Sequence, residues 1–539
     1  MFENPKWIFI TLVIALALCR FIGLGEAEMQ PWDEAMYAVR ADAVRTNGAM
    51  LDQTEYSVGG LYTGAHPPLT IWLMAAAMDI GDGGAFAARF WPALFGAGLV
   101  ILMYIMSGGG RRGFFAALAL GLMPLFFEYS QMAQLDVPTA FFIYLSIYFW
   151  QKNESLRAWK FPIFSGIAFG LALMSKIIVG VFAPISIFLY LMIKRYIIKE
   201  NFGGDIKRFA IMAAIGLALA APWHIYMFAE HGRDFLNYFL GYHILDRMGG
   251  GVEGNVRWLG AWFYVNQLIV LASVMLAPAL FRLREAGRDK ETALHFSILI
   301  IPLIIFSISA TQMRHYSIMM LPAVALLSGA GLDELWRSER RRPWLIALAA
   351  IFGYWAISQD MRDTFESALR NFYFSEDLLY IVLGGIAFGA LGWFVGSKSK
   401  GHTAATLIAL AFVVRFPWQY DMPEYDTRIG DIAAKFERAG CRQLVYIDSA
   451  NGSDVVNPQI YWYFASLRPG INSDREMIYH EAAGSFAGDT LEMREGLVLA
   501  ARSAVKIFTP AVREYLDQRA SDIFIGEKYF AWYMDCGSD

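Results

Sequence analysis

Cysteine and charge are scarce in this 539-residue chain. Three cysteines, Cys19, Cys441 and Cys536, exclude a disulfide-stapled scaffold and any multi-cysteine metal cluster. Charged residues make up only 17% of the chain, against roughly 25% in an ordinary globular protein. A formal net charge of -4 excludes a strongly basic nucleic-acid binder. No repeat of solenoid period and no low-complexity tract appears. What is abundant is apolar surface: 57% of residues are hydrophobic and 15% aromatic, with a mean hydropathy of +0.40. Such a chain is solvated largely by lipid. The composition implies a polytopic α-helical membrane protein.

A helix needs roughly 20 mostly apolar residues to cross the hydrocarbon core. About thirteen stretches approach this, near 7–25, 86–107, 113–128, 136–151, 161–176, 177–193, 209–229, 258–281, 292–310, 316–335, 344–358, 377–396 and 402–416. The first reads as an uncleaved helix, because Cys19-Arg20-Phe21 is unlike a signal-peptide cleavage site. Lys and Arg concentrate in alternate short loops, including Arg111-Arg112, Lys194-Arg195, Lys207-Arg208, Arg282 to Lys290 and Arg337 to Arg342. By the positive-inside rule those loops are cytoplasmic. The long loops 26–85 and 230–257, and the tail after 417, are then external.

The tail changes character. Charges become frequent, and apolar runs shorten to strand length at Gln443–Ile447 and Ala504–Phe508. Segments 428–439 and 510–519 have helical spacing, so residues 417–539 read as a small external α/β domain following a membrane region over 1–416. Cys441 precedes its first strand and Cys536 lies near the chain end. In an oxidising exterior they could form a bridge; two unpaired buried thiols fit as well.

Ionisable groups at membrane depth are expensive and need a reason to be there. The first external loop opens with Pro31-Trp32-Asp33-Glu34, two carboxylates beside an interfacial Trp. They could simply occupy the first turn of a helix that Pro31 starts, or one could act as general base for an acceptor hydroxyl. The same loop runs through Tyr62 to Ala65-His66-Pro67-Pro68, where the proline pair fixes an extended entry into a following helix. Asp136 opens the fourth span and Lys176 stands between two apolar runs. Helix capping and snorkelling are their plain structural roles. Tyr242-His243 to Arg247 follows span seven, and Arg314-His315-Tyr316 lies between spans nine and ten. All of these fall on the external side, and no comparable set stands out at the cytoplasmic ends. A site needing both a base and a phosphate clamp would have this composition.

In this order the motifs resemble a family. Asp33-Glu34, Pro67-Pro68-Leu69 ending in Trp72, Phe86 to Gly96, Asp136-x-Pro138, Ser175-Lys176 and Arg314-His315-Tyr316 look like the GT-C superfamily of polyprenyl-phosphate-dependent glycosyltransferases. Within it the chain is similar to the bacterial aminoarabinose (lipid A) transferases, related to protein O-mannosyltransferases. The similarity runs over most of residues 1–335. It implies transfer of one sugar, with inversion, from a polyprenyl-phosphate carrier to an outer-leaflet lipid or glycan acceptor. The setting implied is the bacterial inner membrane, with the site and the C-terminal domain periplasmic and the protein a monomer. Asp33 matches the family's loop carboxylate, Glu34 its neighbour and Asp136 the second acidic position. Arg247 and Arg314 to Tyr316 match the carrier-phosphate positions, and Lys176 the lysine after the fifth span. His243 and His315 flank these positions. His66 stands where the aminoarabinose branch has Lys, so a permanent charge has become a titratable one. Arginines would supply the countercharge, so no metal or other cofactor is expected.

The acceptor stays open among lipid A, a polysaccharide and a protein hydroxyl, and two other classes compete. A protein O-glycosyltransferase of the same superfamily differs only in acceptor. A transporter gated by Asp136 and Lys176 would place them near the midplane of repeated halves, and no repeat is visible. A non-catalytic envelope subunit would fit if Asp33 and Glu34 only cap a helix.

Overall fold

The computed structural model describes residues 5–81, 83–250, 260–272 and 275–338. In the C-terminal part it describes 428–449, 456–471, 475–482, 496–505, 508, 510–525, 528–534 and 536. Two compact units emerge. One draws on Met1–Ile22, His66–Thr70 and Arg89–Met422, the other on Gly23–Ala65, Ile71–Ala88 and Pro423–Asp539. Most of the loop 26–85 therefore packs with the C-terminal segment.

The first unit is helical. Helices Pro5–Leu18, Ala85–Met106, Asp136–Leu156, Lys160–Ser175, Phe182–Tyr196, Asp205–Leu236, Lys290–Ile308 and Leu321–Arg337 follow the apolar stretches. Two further stretches are broken: Gly110–Gly121 and Pro124–Ser130 meet at 73°, and Phe263–Ala272 and Leu276–Leu283 at 118°. Pro124 cannot donate to the preceding turn, which accounts for the first break. By length and composition four helices can cross a membrane, or six if each bent pair is one span. The expected thirteen are not reached among the described residues. Polar and aromatic residues dilute some helices, and the stretches near 344–358, 377–396 and 402–416 lie outside the described residues.

Small residues let helices approach closely, as apolar solvent favours. Lys160–Ser175 packs against both Asp136–Leu156 and Asp205–Leu236. A Cβ added at Gly216 would lie 2.1 Å from the Phe169 ring, and one at Gly170 2.9 Å from the Gly216 carbonyl oxygen.

Two expectations for this unit need correction. Residues 230–249 are not loop. The helix breaks at Gly232 (φ 55°), then continues through π-helical turns Asn237–Asp246 into Arg247–Gly249. Helical turns pair the backbone N–H and C=O groups of this apolar run internally, which a loop would leave unpaired. Nor are the basic-side ends empty of embedded charge. Asp205, fully buried, accepts from Lys194 at 2.7 Å and from Arg157, while Arg208 reaches Asn153. Neutralisation by partners on neighbouring helices lets these charges sink, and a scan for lone charges overlooks such a set.

In the second unit five strands form one mixed sheet: β1 (Gln443–Ser449), β2 (Glu476–Ala482), β3 (Gly496–Ala501), β4 (Asp522–Ile525) and β5 (Tyr529–Met534). Their spatial order is β2-β1-β3-β5-β4. β1 runs parallel to β2 and β3, with Val445 opposite Ile478 and Val498. β5 is antiparallel to β3 and β4. The strand expected at 504–508 lies instead at 496–501, and Arg502–Val505 is helical. A central strand must be apolar on both faces; β3 is buried throughout, whereas Ala504–Phe508 carries Lys506. Helix Ile429–Arg438 buries Ile429, Ile432, Ala433 and Phe436, and Cys441 and Cys536 are joined in a disulfide.

Candidate active site

The candidate residues divide between the units. In the second, helix Asp33–Asn47 begins two residues after Pro31. Its two carboxylates have different surroundings. Glu34 is fully buried, and its Oε2 accepts the Gln30 backbone N–H at 2.7 Å. Glu34 thus closes the turn that leads into its own helix. Asp33 is half-buried, and no hydrogen bond or ion pair engages its carboxylate among the described residues. The residue between Pro31 and Asp33, Trp32, has φ 64°, a backbone conformation that costs of order 1–3 kcal/mol and persists only where the surroundings enforce it. Tyr62 packs with Met36, Val39 and Val58 beside Tyr461 and Trp462, a supporting position.

The other candidates lie in the first unit. Asp136, buried at the start of its helix, accepts from Lys176 Nζ at 2.6 Å. Its Oδ2 is buried with no hydrogen-bond partner among the described residues. Lys176 follows the end of helix Lys160–Ser175 in extended conformation and places its ammonium 5.8 Å from the centroid of the Tyr316 ring. The Tyr316 hydroxyl accepts from Arg247 Nη1 at 2.9 Å. Arg247 also lies over the Tyr242 ring, 5.8 Å from its centroid. Tyr242 meets His243 edge-on, and His243 meets His66 with ring centroids 4.6 Å apart.

A continuous set therefore runs His66, His243, Tyr242, Arg247, Tyr316, Lys176, Asp136. His315 joins it, edge-on to Tyr316 at 4.8 Å and stacked on Tyr129 at 5.6 Å. The backbone holds Arg247 firmly: its carbonyl accepts Thr311 N at 2.8 Å and Ser309 Oγ at 2.9 Å. Five remote chain segments meet here only because the helices pack as they do.

Arg314 differs from its neighbours: it is exposed, within electrostatic reach of Glu128. Glu128 was not singled out from sequence, and Tyr242 only as the first residue of the segment that ends at Arg247, with no role of its own. Glu128 is the one carboxylate in its apolar stretch, so the cost of a charge at that depth was the available signal. Tyr242 carried none, since aromatic rings are common at membrane interfaces. Among the described residues no three His, Cys, Asp or Glu side chains are grouped to hold a metal ion.

Chemically, the first-unit set presents cations backed by phenol and imidazole groups in partly buried surroundings, where they interact strongly with an anion. The second unit presents one uncommitted carboxylate at a helix start.

Comparison with known proteins gives three kinds of match. The family profile described as dolichyl-phosphate-mannose-protein mannosyltransferase matches residues 65–226. An uncharacterized protein of Aquifex aeolicus is 25% identical over 343 residues, covering 60% of this chain and 64% of that relative. An undecaprenyl phosphate-alpha-4-amino-4-deoxy-L-arabinose arabinosyl transferase of Pseudomonas fluorescens is 24% identical, covering 63% of this chain and 62% of its own. The matched region thus spans somewhat under two thirds of these curated relatives. In fold, the crystal structure of ArnT from Cupriavidus metallidurans bound to undecaprenyl phosphate superposes with a TM-score of 0.70 over 97% of both chains, at 17% identity.

Proposed function

We propose that this chain is a glycosyltransferase of the GT-C type, and that it moves a monosaccharide from a polyprenyl-phosphate carrier to an acceptor at the outer face of the bacterial inner membrane. The acceptor class is a lipid A-type glycolipid or another envelope glycan. The observation that carries this reading is the continuous set from His66 to Asp136, with Arg247 and Lys176 both drawn onto Tyr316. It is supported by the aminoarabinose transferase relatives.

The chemistry follows from charge. The leaving group is a phosphodiester becoming a lipid phosphate, which gains negative charge as the sugar departs. Arg247 stabilises that gain, with His66 when protonated, and more strongly in the transition state than in the ground state. Lys176 is already balanced by Asp136, so it serves chiefly to hold Tyr316 and to tune the local field. The acceptor hydroxyl gives its proton to Asp33 as it attacks. Glu34, committed to Gln30, orients that turn. No metal is needed for these steps.

The test is sugar transfer by the purified full chain, with undecaprenyl-phosphate-linked sugar, lipid acceptor and EDTA present. Asp33→Asn is expected to lower transfer about 10²- to 10⁴-fold, the usual contribution of a general base, while the variant still folds and still binds undecaprenyl phosphate. Full activity in that variant would remove Asp33 from the mechanism. A second reading, transfer to a protein hydroxyl, is favoured by the mannosyltransferase family profile; a labelled protein in place of a labelled glycolipid would select it.

A further inference from the structure

We propose that Arg468, in the C-terminal domain, is a positioning residue for the candidate base: the segment Asn457–Arg468 holds helix Asp33–Asn47, and so fixes where Asp33 stands. The inference rests on the reading of Asp33 as base and adds a role for the domain that follows the membrane region.

The helix is tied at its start by Glu34 and at its middle by Arg40, which donates to the Thr63 carbonyl at 2.7 Å and to Gln53 at 2.6 Å; the C-terminal segment adds a further hold. The helix has 15 residues, a length at which an isolated helix is marginal. It has no side-chain cap at its start, and its entry passes through Trp32 at φ 64°. Segment 457–468 grips it at three heights. Ahead of the helix, both backbone groups of buried Met29 are taken by side chains. Met29 N–H donates to the Tyr463 hydroxyl at 3.0 Å, and Gln459 Nε2 donates to the Met29 carbonyl at 2.8 Å. Gln459 is itself held from β5, where the Tyr529 hydroxyl donates to its Oε1 at 3.1 Å. Mid-helix, Met36 and Val39 pack with Tyr461 and Trp462.

Toward the helix end, Asp42 binds Arg468 through Oδ2, while its Oδ1 accepts from Arg45 at 2.6 Å. Arg468 cannot follow the helix if it shifts, because its other nitrogens are engaged. Nε donates to the Tyr461 carbonyl at 2.7 Å and Nη2 to the Trp462 carbonyl at 3.0 Å. The guanidinium is thus a rigid fork joining two backbone carbonyls to the helix carboxylate, a task the flexible ammonium of lysine does poorly. Side chains at the reacting centre must be held to within a fraction of an ångström, and a misplacement of about 1 Å costs about 10²-fold in rate.

The experiment uses the full chain. Arg468→Gln is expected to lower kcat for sugar transfer about 10- to 100-fold, with undecaprenyl phosphate affinity and cooperative unfolding retained. Arg468→Lys, which keeps the charge but not the fork, is expected to fall between. In an Asp33→Asn background Arg468→Gln is expected to add no further loss, since no base remains to be misplaced. Independently of catalysis, hydrogen exchange over residues 33–47 is expected to rise in Arg468→Gln. Unchanged kcat, or a loss fully additive with Asp33→Asn, would overturn the positioning role and leave the transferase reading intact. A wild-type chain that transfers no polyprenyl-linked sugar would fail the transferase reading instead. Exchange over 33–47 would then still decide whether Arg468 holds the helix, and an unaltered rate would overturn that too.

Discussion

Asp33 and Glu34 are neighbours in sequence with different fates, and the difference is one of hydrogen-bond commitment. Glu34 spends its carboxylate on Gln30, as the capping reading of the pair anticipates; Asp33 does not. The same logic separates Lys176, neutralised at 2.6 Å by Asp136, from Arg247, which donates to the Tyr316 hydroxyl and lies over the Tyr242 ring. His66 is the residue at which pH enters. An imidazole helps a phosphate only when protonated, so the wild type is expected to lose transfer at lower pH than a chain with lysine at this position. His66→Lys is expected to carry the plateau of kcat/KM upward to about pH 9, since an ordinary lysine stays charged there. Superimposable profiles between pH 6 and 9 would show that His66 does not contact the phosphate.

At the scale of elements, apolar runs located the helices well because burial in lipid and burial in protein select the same residues. They located breaks poorly. The bends of 73° and 118° and the π-helical turns over Asn237–Asp246 depend on what neighbouring helices can fill. Close packing carries its own test. Gly216→Val would drive a branched side chain into Phe169, whose ring would lie 2.1 Å from the added Cβ. Overpacking of this kind costs about 1–3 kcal/mol, so thermal unfolding in detergent is expected at lower temperature, with a smaller decrease for Gly216→Ser. An unchanged midpoint would mean that the two helices are free to separate.

For the molecule as a whole, the C-terminal sheet and helix Pro458–Tyr463 store several phenols away from water. Burial raises Tyr461 to about 12 and pushes Tyr446, Tyr529 and Tyr533 up as well. An unfolded tyrosine ionises near pH 10. Between about 10 and 12 the unfolded chain therefore releases protons that the folded chain keeps, and stability falls as pH rises. Arg40, lowered by burial to about 10, and Arg468 and Lys528, also lowered by burial, act in the opposite sense, so three groups oppose four. Urea unfolding of the second unit is expected to be flat from pH 7 to 9 and to need progressively less urea above pH 10. A midpoint constant to pH 12 would contradict the burial of these phenols.

The sequence by itself determined the chemistry available: a lipid-solvated helical chain, a C-terminal α/β segment, and an order of acidic, basic and imidazole residues resembling a glycosyltransferase superfamily. Those are properties of composition and local period, which act within a few residues. It placed a strand at 504–508 where β3 lies at 496–501, because a short apolar run gives no sign of which face its neighbours will cover. Only the tertiary structure decided that His66 meets His243, that Arg247 meets Tyr316, that Cys441 is bridged to Cys536 and that Arg468 grips the helix of Asp33. Each of these joins segments separated by tens to hundreds of residues. No local preference encodes such a pairing; it exists once the helices and the sheet have buried the apolar faces that bring its partners together.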